Sequence, residues 1–440
     1  MKNEVPKEEK VYKILPFGLC MALCLWGIAF ITSLREQETV QTQEETVSEE
    51  AFLSKIQSLE VLDGLQVSAF GTVIQSQDLS ENISLNEAQL ALLKEFMNRY
   101  MESLAYLDCC DFSDLFLNGG ETLSVSSIRF QIGLRQMTPG ADYSLLSYRY
   151  VLNCVSAIEQ EDGSILVSAQ ETSIQVFAQT PDVESKRFSV VHTFTMVLKN
   201  GEWYLTQHEQ ADCLYLVLKS EGVEEEDIPE RYVETVGEYL ELIREQYLDR
   251  LQEETEEALD EPAEEADFPY DRAAALAYSY AYIYKRNSGS YVDYSGLGGN
   301  CQNYVSQCLF AGGIPMDIVG DEIWKWYDAR ISNTNSVYGR SSSWTGVDEF
   351  VLYAQSNTGY GLVAEVDAPY FTGEAGDVLQ FGTEGDWRHA VIITDVVCDE
   401  NGTVIDYLVN SNTSNLENYP ASLYGYPEVI LTKIIGWNEE

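Results

Sequence analysis

Positive charge is scarce in this chain. Its 440 residues hold 26 Lys and Arg against 72 Asp and Glu, a formal net charge of -46. Such a surface repels phosphate backbones, which excludes nucleic acid as a partner. Anionic lipid head groups suit most of the chain equally poorly. Histidine is scarcer still: His192, His208 and His389 are the only three. They lie too far apart in sequence to show metal-ligand spacing, so the expectation is no metal site, no required cofactor and no metallohydrolase. The acidic runs lack the loop spacing and glycine of a calcium loop. No internal repeat is visible, and only one apolar run is long enough to cross a bilayer.

What is present suffices for a folded protein. Apolar residues make up 45% and charged residues 22%, which rules out a wholly disordered chain and fits two or three domains. Residues 14–34 (ILPFGLCMALCLWGIAFITSL) carry no charge. At about 1.5 Å per residue they match a hydrocarbon core of roughly 30 Å. Lys2, Lys7, Lys10 and Lys13 precede the run and Arg35 follows it. The positive-inside rule then keeps 1–13 as a cytoplasmic tail and exports the rest. Phe30-Ile31-Thr32-Ser33 is a poor cleavage site, which favours an uncleaved anchor over a signal peptide. The expected location is the cell membrane, single-pass, with the C-terminal domains extracellular. Cys20 and Cys24 fall in the anchor. The other seven cysteines are Cys109, Cys110, Cys154, Cys213, Cys301, Cys308 and Cys398. An odd number leaves at least one unpaired within the chain, and an oxidising exterior permits bridges among the first four, in any of three connectivities.

Along the chain, 35–85 reads as a stalk with an apolar patch at Val67-Ser68-Ala69-Phe70. Residues 86–219 read as an α+β domain with an antiparallel sheet. It opens with an amphipathic helix over 86–107, built on Leu90, Leu92, Leu93, Phe96, Tyr100 and Leu104. Segments near 143–158, 164–178, 187–199 and 202–217 then alternate with period two. They are split by Asp162-Gly163 and Asn200-Gly201, the second a strong hairpin signal. The pattern resembles the cone-shaped domains of the nuclear-transport-factor-like class. His192 and His208 read as half-exposed strand residues. Residues 220–267 read as a helix over 229–252 and an acidic, flexible linker.

The chemistry concentrates in 268–440. Pro269 opens a helix, and Gly298-Gly299-Asn300-Cys301 leads into a second one over 302–311 that ends at Gly312-Gly313. A cysteine at a helix N-terminus has its thiolate stabilised by unpaired N–H groups and the helix dipole, which predicts a lowered pKa. The same N–H groups can hold an oxyanion. Cys308, seven residues on, lies about 10 Å along the axis. That is too far to bridge Cys301, and Cys308 reads as core. His389 is the one histidine of this region, at the start of a strand after the turn at Gly385-Asp386, and is the candidate base. The next strand carries Asn410 and Asn412 on one face. Either can fix the imidazole tautomer.

Tyr270-Asp271-Arg272, the block GGNCQNYVSQCLFAGGIPM (298–316), Ser343-Trp344-Thr345, GDVLQF (376–381), His389 and NSNTSN occur in this order. Together they resemble the "putative amidase" domain of exported proteins of Gram-positive bacteria, which is similar to papain-like cell-wall peptidases and CHAP amidases. The resemblance covers about 269–437. It implies a papain-like α+β fold with Cys301 as nucleophile, His389 as base and Asn412 as the orienting residue. The family pattern usually has an acidic residue where Asn300 stands and a histidine where Asn412 stands. Asn300, Trp344 and Trp387 are the candidate substrate contacts. The function expected is a membrane-anchored extracellular cysteine amidohydrolase acting on a cell-wall peptide or other amide. The N-terminal domain would serve as spacer or partner-binding module. The alternative is a non-catalytic cell-surface binding protein on the same fold.

Overall fold

The computed structural model describes residues 67–76, 83–120, 122–211, 215, 229–257, 265–319 and 322–439. The apolar segment 14–34, its tail, most of the stalk, Cys213 and the densest acidic stretches lie outside them. Among the described residues no helix is long and apolar enough to cross a membrane.

The fold is α+β with a mixed sheet. The first strand, β1 (Ser68–Gln75), falls where the sequence suggests a weakly ordered stalk. It pairs in parallel with β2 (Leu145–Glu159). Period-two alternation then yields β3 (Ile165–Phe177), β4 (Ser185–Lys199) and β5 (Glu202–Gln210), each antiparallel to its predecessor. The β4–β5 turn needs positive φ at both central residues, and Asn200 (54°) and Gly201 (90°) supply it. Helix α1 (Glu87–Tyr106) starts at a capping box of Asn86 and Gln89. Helix α2 (Leu123–Met137) starts at Thr122, whose side chain accepts from the Val125 N–H. Helix α3 (Pro229–Glu257) packs on α2. Gly133 permits this approach, since a Cβ there would meet the Leu240 side chain at 2.5 Å.

The C-terminal region contributes β6 (Phe268–Pro269), α4 (Arg272–Tyr282), α5 (Cys301–Ala311), α6 (Val347–Ser356) and β7 (Gly361–Ala368). Strands β8 (Val378–Thr383), β9 (Asp386–Cys398), β10 (Val404–Ser411), β11 (Leu416–Pro420) and β12 (Glu428–Asn438) follow. The two regions are not separate bodies joined by a flexible link. Strand β11 pairs with β4, Leu416 opposite Arg187 and Glu417 opposite Lys186, so one sheet runs β1-β2-β3-β4-β11-β10-β9-β8-β12-β6. Lys186 Nζ lies 2.9 Å from Glu417 Oε1 across the junction. The hydrophobic core is likewise shared, from Phe96 and Leu152 to Val391 and Tyr424.

His192 and His208 correct a second expectation. Both are buried. Ser124 Oγ lies 2.6 Å from His208 Nδ1, His208 Nε2 lies 2.9 Å from His192 Nδ1, and His192 Nε2 lies 3.0 Å from Glu171 Oε2. Arg187, 3.4 Å from the same carboxylate, adds a buried charge. Period-two spacing places residues on a face but not which strand faces which, and Glu171 comes from β3, opposite the pair. Burial alone would raise the Glu171 pKa, but Arg187 and the hydrogen bond from His192 outweigh it and hold it down at about 2. Of the first four cysteines, between which an oxidising exterior would permit bridges, the described Cys109, Cys110 and Cys154 are free.

Glu171→Gln leaves Arg187 buried without its counter-charge. It is expected to lower stability by about 3–5 kcal/mol, measured by urea unfolding at pH 7. A change below about 1 kcal/mol would show that the network is incidental to the fold.

Candidate functional site

Three packed contacts set the frame. Tyr270 Oη donates to the Gly376 carbonyl at 3.1 Å, and Arg272 Nη1 lies 2.7 Å from Asp377 Oδ1. These tie the start of α4 to the start of β8. A Cβ on Gly312 would meet the Tyr270 ring at 2.2 Å, so this glycine lets the end of α5 close on the same tyrosine. Gly298 (φ 113°) and Gly299 (φ 132°) precede Cys301 in left-handed backbone that L side chains resist.

Cys301 is the first residue of α5 and is 7% exposed. Its sulfur faces the backbone N–H groups of Ala390, Gln302 and Cys301 and the side chain of Thr413. The Ala390 N–H is free for this because β9 and β10 part company: the last rung of their ladder is Asn410 opposite Ile392. Asn300 holds the same corner, its N–H donating to Thr413 Oγ1 at 3.2 Å and its Oδ1 accepting from Asn303 Nδ2 at 2.8 Å. The pKa runs opposite to the sequence expectation. Burial pushes the Cys301 thiol up, and the N–H groups and Thr413 only partly offset it.

His389 sits one residue before Ala390, opposite Phe381 in the β8–β9 ladder. Its imidazole lies flat against Tyr424 (5.3 Å between ring centroids), Phe381 (6.3 Å) and Tyr426 (6.4 Å). Nε2 is 3.2 Å from Ser411 Oγ, and Ser411 Oγ donates its one proton to the Thr413 carbonyl at 2.7 Å. Nε2 must therefore carry the hydrogen and donate to Ser411, which leaves Nδ1 as the basic nitrogen. Burial lowers the His389 pKa to about 4, so the ring is neutral at pH 7. Among the described residues no hydrogen bond joins the imidazole to the thiol. The link between them is the Ala390 peptide.

The remaining candidates divide. Asn412 flanks this corner, 2% exposed, and its carbonyl accepts from Arg286. Its side chain does not reach the imidazole. Asn410 bonds Ser279 Oγ at 2.7 Å and accepts from the Asn418 N–H at 2.9 Å. Trp344 is fully buried and stacks on Trp324 at 4.5 Å, its Nε1 donating to Asn303 Oδ1 at 3.1 Å, so it supports the α5 N-terminus from beneath. The Trp387 N–H donates to Asp348 Oδ1 at 2.8 Å, pinning the turn before His389. Ser411 and Thr413 were missed. Both lie inside NSNTSN, and the sequence signal was available for Ser411: if Asn410 and Asn412 share one strand face, Ser411 takes the other. Among the described residues no group of three or more His, Cys, Asp or Glu is placed to hold a metal ion.

Residues 269–435 match the family model described as "Putative amidase domain". A protein of Bacillus subtilis (strain 168) described as "Uncharacterized protein YhbB" is 34% identical over 148 residues, covering 33% of this chain and 42% of that relative. The chain thus spans less than half the length of this relative. No solved structure matches.

A histidine whose pKa falls on folding binds fewer protons in the folded state than in the unfolded one. Its contribution to stability is complete above the ordinary value of about 6.5 and is lost as pH falls toward about 4. For His389 that loss is about 3 kcal/mol. Urea unfolding at pH 7 and pH 4 should show His389→Gln losing less stability over the interval than wild type by about this amount. Equal losses would place a charged imidazole in the folded protein at pH 4.

Proposed function

We propose that the C-terminal domain is a cysteine-dependent amidohydrolase. The observation that carries this reading is a buried cysteine at the first position of α5, near the Ala390 N–H, with the neutral imidazole of His389 on the preceding residue of β9. His389 Nδ1 takes the thiol proton as Sγ attacks the amide carbonyl carbon. The oxyanion then stands two bonds from the sulfur, where the N–H groups at the head of α5 would hold it. The imidazolium gives its proton to the departing amine as the C–N bond breaks, leaving a thioester. Water, deprotonated by the same nitrogen, attacks the thioester and releases a carboxylic acid and the thiol. Ser411 holds Nε2 through both half-reactions.

Residues 14–34 would anchor the chain in the cell membrane with this domain outside. There the peptide stems of peptidoglycan are the nearest amides. One observation favours the other reading, a binding protein without catalysis: thiol and imidazole share no hydrogen bond, and burial raises the thiol pKa.

Amine release from purified cell-wall peptides by the full chain, followed by mass spectrometry, decides between the two. Cys301→Ala is expected to abolish turnover, and His389→Ala to lower kcat by about 10²- to 10⁴-fold. Turnover that survives Cys301→Ala, or no turnover by the wild-type chain, would leave the binding reading.

A further inference from the structure

Helix α5 starts at a capping residue whose side chain does not cap it. Asn300 holds the N-cap position by its backbone, since its carbonyl accepts from the Tyr304 N–H at 2.9 Å. Asparagine is among the strongest N-capping residues, because its side-chain oxygen can accept from an N–H of the first turn. Asn86 does this at α1, where its Oδ1 accepts from the Gln89 backbone N–H at 3.0 Å. The Oδ1 of Asn300 accepts instead from Asn303 Nδ2 at 2.8 Å. The side chain of the third helical residue has taken the place of that residue's own N–H.

The direction of each bond is fixed. An indole N–H can only donate. That of Trp344 donates to Asn303 Oδ1 at 3.1 Å, which turns Nδ2 toward the Val292 carbonyl at 3.0 Å and toward Asn300 Oδ1. The oxygen and both hydrogens of the Asn303 carboxamide are thereby used, and the residue is buried. A buried polar group with every bond made is held rigidly. The consequence falls on the N–H groups of Cys301, Gln302 and Asn303, which have no carbonyl partner within the helix. A side-chain cap would occupy one of them. Uncapped, they face the neighbourhood of Cys301 as a set of donors for negative charge.

We propose that Asn303 is a positioning residue of the amidohydrolase site: it holds the Asn300 side chain away from the head of α5 and so keeps the first-turn N–H groups open for the oxyanion. It acts through Asn300 and touches no reacting atom. The assignment rests on the amidohydrolase reading and explains why a strong capping residue stands before Cys301 without capping.

The test is a double-mutant cycle in the full chain. Asn303→Ala releases the Asn300 side chain, which then caps the first turn. For amine release from cell-wall peptides, kcat is expected to fall about 10²-fold, with KM changed by less than about 2-fold. In an Asn300→Gly background no side chain is left to cap the helix, and the same substitution should lower kcat by less than about 3-fold. Asn303→Ala takes the acceptor from Trp344 in either background, so a purely structural role gives equal losses in the two. Asn303→Ser, which keeps a polar group beside Trp344, repeats the cycle should Asn303→Ala not fold. Backbone amide exchange, followed by NMR, supplies a readout without turnover. The N–H at position 303 should exchange about 10-fold more slowly in Asn303→Ala than in wild type, and should revert when Asn300→Gly is added. Equal kcat losses in the two backgrounds, or exchange at position 303 unchanged by Asn303→Ala, would overturn the assignment. If the wild-type chain releases no amine, the hydrolase reading falls, and exchange at position 303 alone decides whether Asn303 holds Asn300 off the helix.

Discussion

The parting of β9 and β10 after the Asn410–Ile392 rung is the constraint on which the site depends. In a continued ladder the Ala390 N–H would be spent on a β10 carbonyl. Released from it, this N–H turns to the Cys301 sulfur and joins the N–H groups of the first turn of α5. Past this rung Ser411 keeps only its pairing with Leu416 of β11, and its side chain meets the imidazole while Thr413 meets the Asn300 corner. A helix N-terminus alone would supply two N–H groups to the sulfur; the open end of a strand pair supplies the third.

The N-terminal region bears on this chemistry through packing. Helix α2 lies against the turn Ala421–Tyr424, and Tyr424 is the ring nearest the His389 imidazole. Helix α3 reaches the turn Tyr370–Thr372, while Tyr143 from the N-terminal region donates to the buried Asp406. Tyr424, the aromatic ring against His389, is thus backed by a helix outside the matched domain. A shared sheet and shared core make the two regions one folding unit in this part of the molecule. The consequence is specific: removing the N-terminal region would wet the Tyr424 side and move the imidazole back toward its ordinary titration range.

Much of this was legible in the residues. Alternation and the Asn200-Gly201 turn placed β2 to β4 and the start of β5 within a few positions, though β5 ends at Gln210 rather than 217, and the glycine approach placed Cys301 at the head of α5, because both are local signals. The resemblance of 269–437 to the amidase family is matched by the family model at 269–435. The failures are non-local. Glu171 meets His192 across strands, β11 meets β4 across more than two hundred residues, and neither pairing leaves a mark in local spacing. The direction of the Cys301 pKa was misread for a related reason. The dipole and N–H groups are visible from position in a helix, but the desolvation that outweighs them depends on everything packed around the sulfur.

That imbalance has a mechanistic consequence. With thiol and imidazole both buried, the ion pair of thiolate and imidazolium is disfavoured at rest: separating charge in a dry site costs more than three N–H groups return. Under the proposed cysteine mechanism, proton transfer would be coupled to bond formation. As sulfur began to bond to carbon, negative charge would leave it for the carbonyl oxygen, the smaller and harder acceptor, which N–H groups solvate better than sulfur. A site of this kind stabilises the charge of the transition state more than that of the resting nucleophile, which is the condition for acceleration rather than mere tight binding. Burial also protects the thiol from chance electrophiles and oxidants, because it keeps the reactive thiolate scarce.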